Sequence, residues 1–240
     1  MTEKKLPPLA LGAWSWGTGM AGGDQVFGNH YFEDDLRPVF DKAMEKGLTL
    51  WDTAADYGEG TSERILGNFV KDVPREDVLV STKFTPQIAG PGDDAMEKML
   101  EGSLSRLHTD YVDIYWIHNP MDVERWTKDL IPLAKSGKIR KIGVSNHNLA
   151  EIKRRRKSWQ KADFPFPPSR TITVSCTAPP KKQASWITAK SMASHSSPTW
   201  YWSRARSPEG TTKHIHFLKE QGAAIPTIRT GRKSGNSSKH

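Results

Sequence analysis

The sequence predicts an α/β protein built as a right-handed parallel array of βα units, and three observations lead there. Strand-like and helix-like segments alternate five times with short connections across the first 153 residues. Some strand segments are apolar runs without a period of two, the mark of strands buried on both faces. Finally, the polar residues of chemical interest stand at the ends of strands, where a parallel barrel gathers them at one mouth.

Leu9-Ala10-Leu11-Gly12 starts the first strand, and Trp14-Ser15-Trp16-Gly17 forms the loop after it. Phe32 to Lys46 carries a helical pattern that Gly47 ends as a C′ glycine. Leu48–Asp52 is the second strand and Thr61–Lys71 the second helix, with Ile65, Leu66, Phe69 and Val70 on one face. Thr61 or Ser62 is expected to supply the N-cap oxygen. Val78–Lys83 is a buried strand, and Met96, Met99, Leu100, Ser103, Leu104 and Leu107 make a helical stripe. Tyr111–Ile117, Val123–Ser136 and Lys141–Ser145 then read as strand, helix and strand, and Leu149-Ala150-Glu151-Ile152 opens another helix.

The segment Trp51-Asp52-Thr53-Ala54-Ala55-Asp56-Tyr57-Gly58 organises the rest. An Asp at a strand end and a Tyr five residues later on the following loop aim two titratable groups into one cleft. Lys83 ends the third strand and His118 follows the fourth, so Asp52, Tyr57, Lys83 and His118 are expected to converge. Each alone would be an ordinary loop residue; together, at the corresponding ends of successive strands, they make a site. No metal site is expected.

Composition sets the outer bounds. The chain has 240 residues, so one domain is expected, at the lower limit for a complete α/β barrel. No run of about 18 apolar residues is present, and Met1-Thr2-Glu3-Lys4-Lys5 lacks a signal peptide's apolar core, so no membrane partner is expected. The single cysteine, Cys176, excludes an internal disulfide and suits a reducing, cytoplasmic compartment. The net charge of +8 is unevenly spread: residues 154–240 hold 17 Lys/Arg and 3 Asp/Glu, whereas residues 1–153 hold 18 and 24. Such a step marks a basic tail or a change in the origin of the sequence.

Leu11-Gly12-Ala13-Trp14, Trp51-Asp52-Thr53-Ala54-x-x-Tyr57-Gly58, Ser62-Glu63-x-x-Leu66-Gly67, Ser81-Thr82-Lys83, Asp113-x-Tyr115-x-Ile117-His118 and Ile142-Gly143-Val144-Ser145-Asn146 stand in that order. Over residues 9 to about 153 the chain thereby resembles the aldo-keto reductase family. The resemblance implies a (β/α)₈ TIM barrel, of which this chain keeps the first five βα units, and NADPH-dependent reduction of a small aldehyde or ketone. It implies that Tyr57 donates a proton to the carbonyl oxygen, that Lys83, held by Asp52, lowers the tyrosine pKa towards working pH, and that His118 orients the carbonyl. Ser145 and Asn146 would grip the nicotinamide carboxamide. It also implies that the aromatic stacking on the cofactor and the anion-binding loop, which belong to the later strands, are missing. No Gly-rich dinucleotide fingerprint is present, as expected for a family that binds NADP without a Rossmann domain.

From residue 154 on, the pattern changes. Arg154-Arg155-Arg156-Lys157-Ser158-Trp159 is expected to break the amphipathic helix. Eight of the 16 prolines follow, as do Trp159, Trp186, Trp200 and Trp202 without an apolar frame. Interleaved tryptophan in a basic segment can stack on single-stranded nucleic acid, but a change of reading frame explains the segment better, and no nucleic acid is expected. In the frame one base earlier, the unique codons for Trp and Met force Ala at Trp159/Gln160, Asp at Trp186/Ile187, Gly at Met192/Ala193 and Val at Trp200/Tyr201. With ordinary codons elsewhere, strand and helix patterns return in the family's order. The junction is simple: CGG-GCG-GAG-GAA-ATC, encoding R-A-E-E-I, becomes Arg154-Arg155-Arg156-Lys157-Ser158 when one G of its GGG run is lost.

Residues 1–153 are therefore the N-terminal part of a reductase barrel and 154–240 an out-of-frame, largely irregular tail without a domain. A barrel short of strands exposes sheet edges, so aggregation is expected when the chain is made alone. The alternative functional reading is an inactive fragment, or a non-catalytic reductase-like binding subunit. His147 is a weaker candidate for a substrate loop.

Overall fold

The computed structural model describes residues 6–7, 9–161, 171–173, 201–206 and 212–218. The elements follow one another as β1 (Leu11–Gly12), α1 (Gly23–Phe27), α2 (Glu33–Glu45), β2 (Leu50–Asp52), α3 (Thr61–Val70), β3 (Leu79–Phe84), α4 (Ala95–Arg106), β4 (Val112–Ile117), α5 (Val123–Lys135), β5 (Ile139–Val144), α6 (Leu149–Lys161), β6 (Thr171–Thr173), β7 (Tyr201–Arg206) and β8 (Thr212–Leu218). Strands β1 to β6 form one sheet in chain order, and every neighbouring pair is parallel. Sequential order with parallel pairing is the opening arc of a (β/α)₈ barrel, as the alternation predicts. Strands β7 and β8 form a separate antiparallel pair.

The period of two sorts each strand's side chains onto two faces. Leu50, Leu79, Ile114 and Trp116 meet on the inner face, with Leu6 and Ala10 beneath them. Trp51, Val80, Phe84, Tyr115, Ile117 and Ile142 alternate with these and pack outward, in the same cluster as Phe40, Leu66, Phe69, Leu100, Trp126 and Leu130 of the helices. Both faces are buried, which is why β3 and β4 read as apolar runs rather than alternating ones. Trp16 from the first loop joins Trp51, Phe40 and Phe69 in an aromatic cluster with ring centroids 5.1–5.9 Å apart.

Two partly buried ion pairs brace the sheet and the helices and loops around it. Glu63 of α3, fully buried, accepts from Arg106 Nε at 2.7 Å and from Thr82 Oγ1 at 2.5 Å. Arg75 donates to Asp113 Oδ2 at 2.8 Å, and the same oxygen accepts the Val80 backbone N–H. The glutamate of Ser62-Glu63 and the aspartate of Asp113-x-Tyr115 therefore brace the frame rather than line the mouth.

Three local expectations change. The N-cap of α3 is Gly60, left-handed at φ +85°, and neither hydroxyl caps the helix. Thr61 Oγ1 donates to Gly58 O of the preceding loop, and Ser62 Oγ donates to Ala13 O just after β1, so both hydroxyls are engaged elsewhere. The basic run does not break α6, which continues to Lys161. Arg and Lys are good helix formers, and Arg155 turns inward against α5, with Nη1 donating to Val123 O and Thr127 Oγ1. The sheet also gains a short sixth strand, β6, paired with Ile142–Val144, within the segment from which no regular structure was expected. Tyr201–Arg206 and Thr212–Leu218, in the same tail, also form regular structure as the antiparallel pair β7–β8, and the rest of the tail beyond Lys161, including Cys176, lies outside the described residues.

Candidate active site

The site forms where β2, β3 and β4 end. Asp52 is the last residue of β2, Lys83 the penultimate residue of β3, and His118 the first residue after β4. The parallel registers Asp52↔Ser81 and Lys83↔Trp116 put these ends side by side, so residues far apart in sequence meet.

Lys83 Nζ donates to Asp52 Oδ2 at 2.6 Å and to Thr53 O at 2.7 Å. Asp52 Oδ1 accepts from Ser81 Oγ at 2.6 Å, and Ser81 Oγ in turn accepts from Trp116 Nε1 at 2.7 Å. Trp116 thus donates to Ser81 and Ser81 to Asp52, each link polarising the next, while Lys83 donates into the same carboxylate from the other side. All four are buried. Sequence reasoning missed Ser81 and Trp116, yet a signal was available: Ser81 stands two before Lys83 and Trp116 two before His118, hence on the same face. Gly143 of β5 makes room for this arrangement, because a Cβ there would enter the Trp116 ring.

Tyr57 is held from several sides. Its ring stacks on Trp14 at 5.3 Å with an interplanar angle of 16°, and meets the His118 ring edge-on at 5.7 Å. Lys83 Nζ lies 4.7 Å from the Tyr57 ring centroid. Burial pushes the Tyr57 hydroxyl up to about 12, against the downward pull of Lys83. The expectation that Lys83 lowers the tyrosine towards working pH is therefore corrected. Desolvation of the phenolate outweighs one ammonium whose charge is already shared with Asp52. Burial also pulls Lys83 down, but Asp52 and then Tyr57 more than offset it, so its pKa rises and the ammonium keeps its proton.

His118 Nδ1 lies 3.1 Å from Thr85 Oγ1 and 3.3 Å from Asp56 Oδ1. Asp56 and Thr85 sit on loops, where no periodicity could have announced them.

Ser145 and Asn146 follow β5. Ser145 N–H donates to Ile117 O at 3.0 Å, which fixes the loop beside β4. Asn146, at φ +58°, turns its Nδ2 to His118 O at 2.8 Å and Ser145 Oγ at 3.2 Å. The structure thus brings all six of these residues to one end of the sheet. His147, next in sequence, is fully buried. His147 Nδ1 donates to Ser145 O at 2.5 Å, and Nε2 accepts from Arg155 Nε at 2.7 Å. Burial and the adjacent Arg155 hold its pKa down to about 4, so it is a neutral brace and not a substrate contact.

Among the described residues no helix is long and apolar enough to cross a membrane.

The family model described as the aldo/keto reductase family matches residues 8–167. The chain is 34% identical over 154 residues to "Aldo-keto reductase YhdN" of Bacillus subtilis, covering 60% of this chain and 44% of that protein. Its fold matches a thermostable aldo-keto reductase solved with the inhibitor epalrestat, with a TM-score of 0.59 and 28% identity over 73% of this chain and 60% of that one. It also matches an aldo-keto reductase from Klebsiella pneumoniae in complex with NADPH, with a TM-score of 0.51 and 30% identity over 62% of this chain and 48% of that one. The chain spans about half the length of the curated relatives it matches. The match reaches past residue 153, to 167, in keeping with α6 running on to Lys161. With successive parallel βα units and an Asp–Lys pair beside a buried tyrosine, the chain belongs to the aldo/keto reductase family.

Proposed function

We propose that this chain descends from a cytoplasmic, NADPH-dependent reductase of small aldehydes or ketones, and that the 240-residue product itself does not turn over. The observation that carries the ancestry is Lys83 Nζ, 2.6 Å from Asp52 Oδ2 and beside the Tyr57 ring.

In this reading Tyr57 is the general acid. A phenol kept protonated by burial holds a proton ready for a carbonyl oxygen as negative charge develops there. Lys83 stabilises the resulting phenolate, and Asp52, with Ser81 and Trp116 behind it, fixes where the ammonium sits. His118 stands across from Tyr57 and orients the carbonyl. The residues after β5 suit a nicotinamide carboxamide: Ser145 brings a hydroxyl, and Asn146 keeps its Oδ1 as an acceptor while Nδ2 is tied to the loop. The nicotinamide, when bound, supplies the hydride. Relatives of this chain include a structure in complex with NADPH, which supports the choice of cofactor.

The frame shift near codon 154 belongs to the same proposal. It is supported by the excess of basic residues after 153 and by the prolines and tryptophans that follow without an apolar frame. Among the described residues the parallel sheet ends at β6, and in this reading no further strand closes the circumference, so the mouth lacks the packed surround that holds catalytic groups to within about 0.5 Å. Exposed sheet edges then favour aggregation.

The test is to express the 240-residue chain and a version with one G restored to the codon 154 run, and to follow NADPH oxidation with an aldehyde panel in parallel. The restored enzyme should oxidise NADPH and the 240-residue chain should not. Turnover by the latter at a hundredth of the restored rate would overturn the inactive reading. A sequenced gene with stop codons in the shifted frame would overturn the frame shift.

A further inference from the structure

Between Tyr57 and Thr85 lies a carboxylate that the proposed mechanism does not use. Asp56 Oδ1 is buried and has no hydrogen bond of good geometry in the protein. Its near neighbour is His118 Nδ1 at 3.3 Å, and the same nitrogen lies 3.1 Å from Thr85 Oγ1. The charged and titratable groups facing this cluster are Asp52, Asp56 and Tyr57 from the end of β2 and its loop, and Lys83 from β3.

Proton counting decides the arrangement. An ionised carboxylate only accepts, and a threonine hydroxyl has a single proton. If Nδ1 were bare, Thr85 would spend its proton on Nδ1, and Asp56 Oδ1 would face a nitrogen lone pair with no donor at all. A buried acceptor left so is costly. If Nδ1 carries the proton, it donates to Thr85 Oγ1 with its positive end 3.3 Å from Asp56 Oδ1, and the Thr85 hydroxyl proton is free to turn to Asp56. Burial raises the Asp56 pKa, but His118, Lys83 and Thr85 pull it below its ordinary value, so the acceptor stays ionised.

We infer that Asp56 is a positioning residue that holds His118 with its proton on Nδ1, leaving Nε2 bare in the neutral ring. His118 then donates a hydrogen bond from Nε2 only as the imidazolium, with Asp56 as counter-ion. The neutral ring accepts at Nε2 and favours an alcohol O–H over a carbonyl oxygen. This deepens the reductase reading, since it sets the form of His118 that polarises a carbonyl. The tautomer itself is independent of turnover.

The experiment is two-bond ¹H–¹⁵N correlation of the full chain labelled with ¹⁵N-histidine, with His118→Gln to assign the ring. His147 is an internal reference, because Ser145 O and Arg155 Nε hold its proton on Nδ1 without help from Asp56. The neutral His118 ring should show the Nδ1–H form in about tenfold excess, as a carboxylate facing Nδ1 and a hydrogen bond to Thr85 Oγ1 together favour. Asp56→Ala should bring back a majority of Nε2–H at His118 and leave the His147 pattern unchanged. An Nε2–H majority in the unaltered chain, or an Nδ1–H majority that survives Asp56→Ala, overturns the inference. If Asp56→Ala also disturbs His147, Thr85→Val decides: Asp56 alone should keep the Nδ1–H form, and its loss there overturns the role of Asp56. Because no cofactor is added, failure of NADPH binding or turnover counts against the reductase reading and leaves this result standing.

Discussion

Replacing Arg155 with alanine gives the sharpest physical test of the frame-shift reading, because alanine is the residue that the proposed original frame would put there. Arg155 is 1% exposed between α5 and α6. Nε and Nη1 donate to His147, Val123 O and Thr127 Oγ1, whereas Nη2 has no partner. Among the described residues no carboxylate lies within ion-pair distance. Burial pulls its pKa down to about 10, with Glu124 and Glu151 opposing from further off. An uncompensated buried charge costs about 3–5 kcal/mol. Removing it strands one acceptor, His147 Nε2, at about 1–3 kcal/mol. Thr127 Oγ1 keeps its bond to Val123 O, and the helices can close part of the vacated space. The net expectation for Arg155→Ala is a gain of about 1–2 kcal/mol, an increase of about 0.5–1 M in the urea midpoint. Circular dichroism during urea unfolding reads the midpoint, and amide exchange of α5 and α6 reads the same change locally. Arg154→Ala, on the exposed side of the helix, should change stability by less than about 0.5 kcal/mol. A fall of 1 kcal/mol or more in Arg155→Ala would show that the arginine is a native brace and would refute the reasoning.

In the base-restored enzyme, Tyr57→Phe should keep NADPH binding and lose about 10²–10⁴-fold in carbonyl reduction, measured as NADPH oxidation, since the general acid is gone. His147 is held neutral, with its pKa lowered from 6.5 to about 4. The unfolded chain therefore binds more protons in that window, and stability contributed by His147 is complete above pH 6.5 and lost as pH falls towards 4, by up to about 3 kcal/mol. Urea midpoints across that range should slope less in His147→Phe. Gly143→Ala should drive a methyl into the Trp116 ring and cost about 1–3 kcal/mol in the urea midpoint. In the restored enzyme it should also lower kcat, because Trp116 and Ser81 hold Asp52.

The sequence by itself determined the order and kind of the first five βα units, since the apolar runs of β3 and β4 and the helical stripes of α3 to α5 are local periodicities. It also determined that Asp52, Tyr57, Lys83 and His118 share one mouth, because parallel strands bring equivalent ends together. Tertiary structure decided what those groups do to one another. Whether Lys83 or desolvation governs Tyr57 depends on depth of burial, which no spacing encodes. The Trp116–Ser81–Asp52 chain depends on the register of three strands and on the space at Gly143. Asp56 and Thr85 reach His118 from two loops with no period to read, and His147 is a brace only because Arg155 of the next helix turns inward. Periodicity follows from the geometry of a single element, whereas pKa, hydrogen-bond direction and burial are properties of the space between elements.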